Sequence, residues 1–372
     1  MRVGCPKEIK NHEYRVGLTP GAVREYVAHG HEVLVQTGAG LGIGADDGAY
    51  QSAGAKIAKT AEDVFAKSDM IVKVKEPQPN EWVQLRDGQI LYTYLHLAPD
   101  PEQTKGLLAS GVTAVAYETV TDERGGLPLL APMSEVAGRL SIQAAATALQ
   151  AANGGRGILL GGVPGVLPAK VPVLGGGVVG LHAAKMAVGL GADVTIIDRS
   201  IPRLRQLDDI FNGRVHTRYS TIEALEDEVF SADAVIGAVL IPGAAAPKLV
   251  TREMLSGMKK GSVMVDVAID QGGCFATSHD TTHVDAHYVA DDIVIFYVAN
   301  LPGAVALTSA HALNNATLHY GLQLANKGLK ALVDDHHLRN GLNVHAGRIT
   351  NKAVAESLGY ELAEPKSVLK VA

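Results

Sequence analysis

The sequence predicts an α/β protein built on parallel sheets, and three observations predict it. Apolar, β-branched runs alternate with helical patterns along the chain, the order that parallel strands and crossover helices produce. One strand–helix junction, "VLGGGVVG", carries three consecutive glycines, the residues that let a helix pack closely on a strand. Finally, 372 residues with 41 glycines exceed one ordinary core and call for two or three domains.

The expected strands lie at 31–38, 69–77, 89–96, 112–120, 170–177, 192–200, 232–240, 261–270 and 292–303. Each is a short run rich in Val, Ile, Leu or Tyr that stops at Gly, Pro, Asp or Asn. Helices are expected at 19–30, 61–67, 101–110, 178–190, 201–211, 221–228 and 251–257. Two longer helical patterns stand out. One spans 131–155, opened by Ser134 as N-cap behind Pro132; the other lies in 300–328, after a loop, and is stopped by Gly328. They bracket the glycine-rich unit. The expected organisation is therefore a discontinuous first domain, 1–130 with 306–372, and a second domain, 131–305, inserted into it and joined by long helices. Two further glycine-rich stretches, "GAGLGIGADD" (38–47) and "GGVPGVLP" (161–168), read as loop and turn segments.

Composition narrows the function classes. The net charge of −6 and the lack of a long basic block argue against nucleic-acid binding. The two cysteines, Cys5 and Cys274, are too far apart in sequence to suggest a disulfide framework, and a reducing compartment suits them. The opening "MRVGCPKEIKNHEYR" has no apolar core of the kind a signal peptide needs. The longest apolar run, "AVIGAVLIPGAAAP", is broken by Gly and Pro and is too short for a membrane span. A soluble, cytoplasmic protein is expected, with no membrane partner and no metal.

Gly175, Gly177 and Gly180 form G-x-G-x-x-G between a strand and a helix, and the next strand ends in Asp198. This is the full context of a dinucleotide-binding turn. Gly175 permits the tight turn, Gly177 lets backbone approach a pyrophosphate, and Gly180 lets helix and strand pack. The helix N-terminus offers free N–H groups to the phosphates. Asp198 suits the two ribose hydroxyls of NAD and would repel a 2′-phosphate, although Arg199 and Arg203 stand nearby.

In open α/β sheets, ligands bind outside the carboxyl ends of the strands. Lys75, His96 and Asp270 each close an expected strand. A lysine can hold a carboxylate or polarise a carbonyl, a histidine exchanges protons near neutral pH, and an aspartate can stabilise a developing cation. Singly, each has an ordinary reading: an exposed strand-end charge for Lys75 (and for Lys73 on the same face), a buried backbone-bonded histidine, a turn aspartate. Together, opposite a dinucleotide turn, they favour an active site. Arg15 is either a bidentate carboxylate clamp or a surface ion pair.

The blocks "GCPKEIKNHEYRVGLTP", "VKVKEP", "LHLAPD", "APMSEVAGRLSIQ", "GGVPGV", "VLGGGVVGLHAAKMAVGLGADVTIIDRS", "VDVAIDQGG" and "YVANLPGAV" resemble the alanine dehydrogenase family, in its order and over nearly the whole chain. The resemblance implies two Rossmann-like domains in each subunit of a homohexamer. It also implies reversible oxidative deamination of L-alanine by NAD to pyruvate and ammonium. By the same resemblance, Arg15 and Lys75 would hold the substrate, and His96 and Asp270 would be the acid/base pair. Ser134, Gly175, Gly177, Val178, Val179, Gly180, Asp198, Arg203, Ser220, Leu240, Val267 and Asn300 would line the nucleotide. Met133 and Leu130 would limit the side-chain pocket. Two departures are visible: Ala306-Leu307-Thr308-Ser309-Ala310 replaces a usual Pro-Arg-Thr-Ser-Thr, and Ile295-Phe296-Tyr297 replaces a common His-Tyr-Cys. The rival readings are a transhydrogenase-like NAD(H)-binding module, a saccharopine-type dehydrogenase, and a non-catalytic protein that keeps the fold.

Overall fold

A computed structural model describes residues 1–239, 247–268, 273–277, 287–296 and 300–369. Its contacts divide the chain into two compact units, Met1–Met133 with Val305–Ala372, and Ser134–Ala304. Each has its own sheet. In chain order the strands are β1 (Arg2–Cys5), β2 (Glu32–Gln36), β3 (Lys56–Ala58), β4 (Met70–Val72), β5 (Ile90–Thr93), β6 (Thr113–Ala116), β7 (Lys170–Leu174), β8 (Asp193–Asp198), β9 (His216–Tyr219), β10 (Ala234–Gly237), β11 (Val263–Asp266), β12 (His287–Ala290), β13 (Ile293–Phe296), β14 (Leu342–His345) and β15 (Arg348–Ile349).

The first unit's sheet runs β15-β14-β6-β5-β4-β1-β2-β3. β1 to β6 are all parallel, whereas β14 is antiparallel to β6 and to β15. Strand order therefore reverses between β1 and β4. The second sheet runs β12-β13-β11-β10-β7-β8-β9 and reverses between β7 and β10. It is parallel except for β12, which pairs antiparallel with β13. Each sheet is parallel apart from antiparallel pairing at one edge, as expected for two Rossmann-like domains.

The central strands are buried on both faces, as the continuous apolar runs require. In the second unit, Val171, Val173, Val194, Ile196, Ile236, Val263 and Val265 pack on one side with Ile142, Ala145, Ala183 and Ala187 of two helices. Their neighbours Leu174, Ile197, Val235 and Met264 pack on the other side with Val229, Leu255, Met258 and Phe275. Each such side chain removed from water contributes about 1.5–3 kcal/mol.

Two long helices depart from expectation in detail. The first spans Ala131–Ala148 and contains the boundary between the units. Ser134 therefore lies inside it, not at its N-cap. Pro132 has no N–H to lose and is tolerated in a first turn, so the helix begins ahead of it. A short 3-10 turn at Ala151–Asn153 and Gly154, at φ +84°, end the expected 131–155 pattern. The second helix, Ala306–Lys327, stops at Gly328. Ala306 is buried in its first turn, and Leu307 is exposed there. The 38–47 loop is a 3-10 turn followed by the helix Asp47–Ser52, with Asp46 as N-cap and Asp47 accepting from the Thr37 hydroxyl and the Gly38 N–H. Residues 163–166 form a two-residue hairpin in which Val163 and Val166 exchange both backbone hydrogen bonds around Pro164-Gly165.

His182, between the helices Ala131–Ala148 and Val178–Gly189, is a buried titratable group of the second unit. Arg139 Nε donates to its Nδ1 at 3.1 Å, and burial lowers its pKa below the ordinary 6.5. His31 and His345 are lowered by burial as well. The folded chain thus holds these imidazoles neutral while the unfolded chain protonates them near 6.5. Stability is complete above that pH and falls as pH drops through it towards the folded pKa. Thermal melts at pH 7.5 and 5.5 should show an acid-dependent loss that His182→Gln reduces; an equal loss in the variant would exclude His182 as a contributor.

Candidate active site

In the second unit the turn after β7 sits where strand order reverses. Gly175 has φ +103°, and a Cβ there would lie 2.8 Å from the carbonyl oxygen of Ala238, just past β10. A Cβ on Gly180 would lie 1.8 Å from the carbonyl oxygen of Gly175, so only glycine lets the helix Val178–Gly189 begin here. Gly177, its N-cap, supplies no side-chain cap to the first amides, and a Cβ on it would meet nothing within 4 Å. Val178 is exposed and Val179 buried in that first turn.

Asp198 ends β8 and reaches the same turn. Its Oδ2 accepts from the Gly176 N–H at 2.7 Å and its Oδ1 from the Ser200 N–H at 2.8 Å. Arg203 Nε donates to the Gly176 carbonyl at 2.6 Å. Ser220, past β9, donates its N–H to the Asp198 carbonyl, and Val267, past β11, donates to Gly237. Asn300 holds a left-handed φ of +57° and accepts from the Gly303 N–H. The turn, Asp198, Arg203, Ser220 and Val267 thus gather at the carboxyl edge of one sheet. Ser134 is placed by the helix described above, and Leu240 and Asp270 lie outside the described residues. The uncapped helix start, the side-chain-free turn and the carboxylate at the end of β8 together fit a dinucleotide.

In the first unit, polar groups gather at the carboxyl ends of β4, β5 and β6 and in the loop after β1. Arg15 is buried. Its Nε and Nη2 donate to Glu13 Oε1 and Oε2 at 2.7 and 2.6 Å, and its Nη1 lies 3.0 Å from Met133 Sδ. Burial opposes the guanidinium charge, and the Glu13 bonds outweigh it, so its pKa is raised. Arg15 is therefore not a surface ion pair. Lys75 is half-buried three residues beyond the last paired position of β4, where its carbonyl accepts from the Thr93 hydroxyl at 3.0 Å.

Lys73 is not the exposed strand-end charge that its alternation with Lys75 suggests. It is fully buried, with Nζ 2.9 Å from both Glu8 and Glu81. Burial works against its ammonium, but the two carboxylates hold its pKa above the ordinary lysine range.

His96 follows β5 in the left-handed region, at φ +49°, an unusual place for a non-glycine residue. Its side chain is 46 % exposed and lies parallel to the Tyr94 ring, centroids 5.8 Å apart. Glu118 supports the turn: its carboxylate accepts from the His96 N–H at 2.7 Å and from the Leu95 N–H at 3.2 Å, and lies 3.9 Å from His96 Nδ1. Tyr94 donates to the Leu129 carbonyl at 2.6 Å and feels the charges of Arg15 and Glu118; burial raises its pKa.

Three residues here went unread in the sequence. Glu118 stands two residues past β6, so the strand-end rule that picked out Lys75 and His96 would have found it in "VAYETV". Tyr94 read as an apolar strand residue. Glu13, two before Arg15, gave no periodic signal.

Residues 4–137 match the family described as "Alanine dehydrogenase/PNT, N-terminal domain", and residues 141–352 match its C-terminal domain. The chain belongs to the alanine dehydrogenase/PNT family. A family relative from Halomonas elongata named alanine dehydrogenase is 58% identical over 99% of this chain and all of its own. A solved structure titled L-alanine dehydrogenase is 51% identical with a TM-score of 0.94, covering 96% of this chain and 99% of that one. A transhydrogenase from Sinorhizobium meliloti is 26% identical with a TM-score of 0.80, over 95% and 100%.

Glu118→Ala would remove the acceptor that holds the left-handed turn at His96. A charged hydrogen bond is worth about 1.5–3 kcal/mol, so turnover per KM should fall at least about tenfold. Glu118→Gln, which keeps an acceptor oxygen, should recover most of it. Equal losses in both variants, or none, would remove Glu118 from this role.

Proposed function

We propose that the chain is an NAD-dependent L-alanine dehydrogenase, converting L-alanine, NAD⁺ and water reversibly to pyruvate, ammonium, NADH and a proton. The observation that carries the reading is the set Arg15 in the loop after β1, Lys75 past β4 and His96 past β5, in a chain whose relatives are named for this reaction. Residues 1–130 with 306–372 serve the substrate in this reading, and residues 131–305 serve the nucleotide. Ser134, Gly175, Gly177, Val178, Val179, Gly180, Asp198, Arg203, Ser220, Leu240, Val267 and Asn300 would hold NAD. Asp198 favours NAD over NADP by charge. When bound, NAD⁺ supplies the acceptor for the hydride leaving Cα.

Arg15 and Lys75 receive the substrate carboxylate and oxygen. The amine must lose a proton before hydride leaves, because an ammonium has no lone pair to form the imine. His96, whose ring is exposed, and Asp270 are assigned that proton and the activation of the water that hydrolyses the iminium. The cofactor-module and saccharopine-type readings lack an observation of their own here. The purified protein, mixed with NADH, pyruvate and ammonium, should oxidise NADH only when ammonium is present, and poorly with NADPH in its place. Oxidation without ammonium would indicate a 2-hydroxy-acid dehydrogenase instead, and no oxidation would overturn the reading.

The same reading places the protein in the cytoplasm as a homohexamer. Self-association is supported by the hairpin region, where Leu159, Val163, Val166 and Leu167 are exposed and no charge occurs from Gly157 to Ala169. Light scattering behind size exclusion should give six subunits, and Val163→Asp with Leu167→Asp should lower the number; a monomeric parent would contradict it.

A further inference from the structure

We infer that Glu13 is a positioning residue for Arg15, fixing the plane of the guanidinium that receives the substrate carboxylate. The inference rests on the proposed role of Arg15 as carboxylate clamp and adds the group that aims it. One carboxylate takes three bonds from one residue. Glu13 Oε1 accepts both the Arg15 backbone N–H, at 3.0 Å, and Nε, at 2.7 Å, while Oε2 accepts Nη2 at 2.6 Å. The backbone bond fixes where the loop starts and the two side-chain bonds fix the guanidinium plane. Both side chains are buried, so no water competes for these bonds.

A guanidinium offers two parallel N–H donors on only two of its edges. Glu13 takes the Nε–Nη2 edge. On the other edge Met133 Sδ, a weak acceptor, lies 3.0 Å from Nη1. Glu13 also cancels the formal charge of Arg15. Arg15 is then an aimed hydrogen-bond donor, and Lys75 supplies the net positive charge for the substrate.

Aim and charge predict opposite signs. If Glu13 only neutralised Arg15, Glu13→Gln would leave a more cationic clamp and bind carboxylates more tightly. If it aims the clamp, the variant turns an amide N–H₂ or a single oxygen towards the guanidinium, the plane is released, and carboxylate affinity falls. We expect a fall of about ten- to hundredfold.

The test is calorimetric titration of the NADH-loaded protein with propionate, a carboxylate without a reactive carbonyl, and with propionamide. Glu13→Gln should weaken propionate by that factor and leave propionamide and NADH unchanged. The KM for pyruvate should rise likewise, with a smaller change in kcat. Tighter or unchanged propionate binding would overturn the inference. Because Glu13→Gln leaves Arg15 buried with less compensation, a second variant pair guards against misfolding. In an Arg15→Met background, adding Glu13→Gln should cost no further propionate affinity, whereas an additive loss would show that Glu13 does not act through Arg15. Binding is read without turnover. A parent that binds propionate but does not oxidise NADH would overturn the proposed reaction alone, leaving Glu13 decided by the propionate comparison.

Discussion

A parallel sheet covered by helices on both faces has one place where a ligand can enter, the carboxyl edge where strand order reverses and successive connections leave to opposite sides. Each unit of this protein has one such place, between β1 and β4 and between β7 and β10. The functional residues described in each unit follow from it. In the second unit the reversal leaves room for three consecutive glycines and a bare helix start. In the first unit the loop after β1 carries charged side chains, Glu8, Glu13 and Arg15, and no glycine turn. The same topology thus presents bare backbone at the sheet edge of one unit and charged side chains at that of the other.

The first unit has to hold that charged edge together. Glu8 from the loop after β1 bonds both Lys73 Nζ and the Val74 N–H past β4, at 2.9 and 2.7 Å. Glu81, in the first turn of the next helix, takes the far side of Lys73. Lys10 and Glu76 pair across the same two loops. Buried ion pairs of this kind contribute little net stability, because desolvation offsets attraction. What they specify is register: the loop carrying Arg15 and the strand end carrying Lys75 are tied to a common ammonium. Burial raises the Glu8 carboxyl's pKa against the pull of Lys73, as expected where two carboxylates share one cation.

Much of this was legible in the sequence. The helices 61–67, 101–110 and 201–211 fall at the expected residues, because each starts at a capping residue (Thr60, Asp100, Ser200). The glycine turn was legible because its spacing is tied to backbone geometry. Strand lengths were overestimated: of 69–77 only Met70–Val72 forms the strand, and backbone bonds to Tyr92 and Tyr94 continue no further than Val74. β1 was missed because four residues, stopped before Pro6, give no periodicity, although it is the strand beside the reversal. Lys73 was misread because its partners, Glu8 and Glu81, are distant in sequence or lie past a turn, and a charge buried by such partners leaves no local pattern.

On the proposed reading Arg15, Lys75 and His96 of the first unit, with Asp270 of the second, carry the chemistry, and the other named residues of the second unit hold the dinucleotide. His96→Ala tests this most directly, because its exposed side chain can be removed without opening a core. NADH affinity, followed by nucleotide fluorescence, should stay within about twofold of the parent, while ammonium-dependent turnover falls by roughly 10²–10⁴. Retained turnover, or a loss of NADH binding in step with activity, would contradict the division.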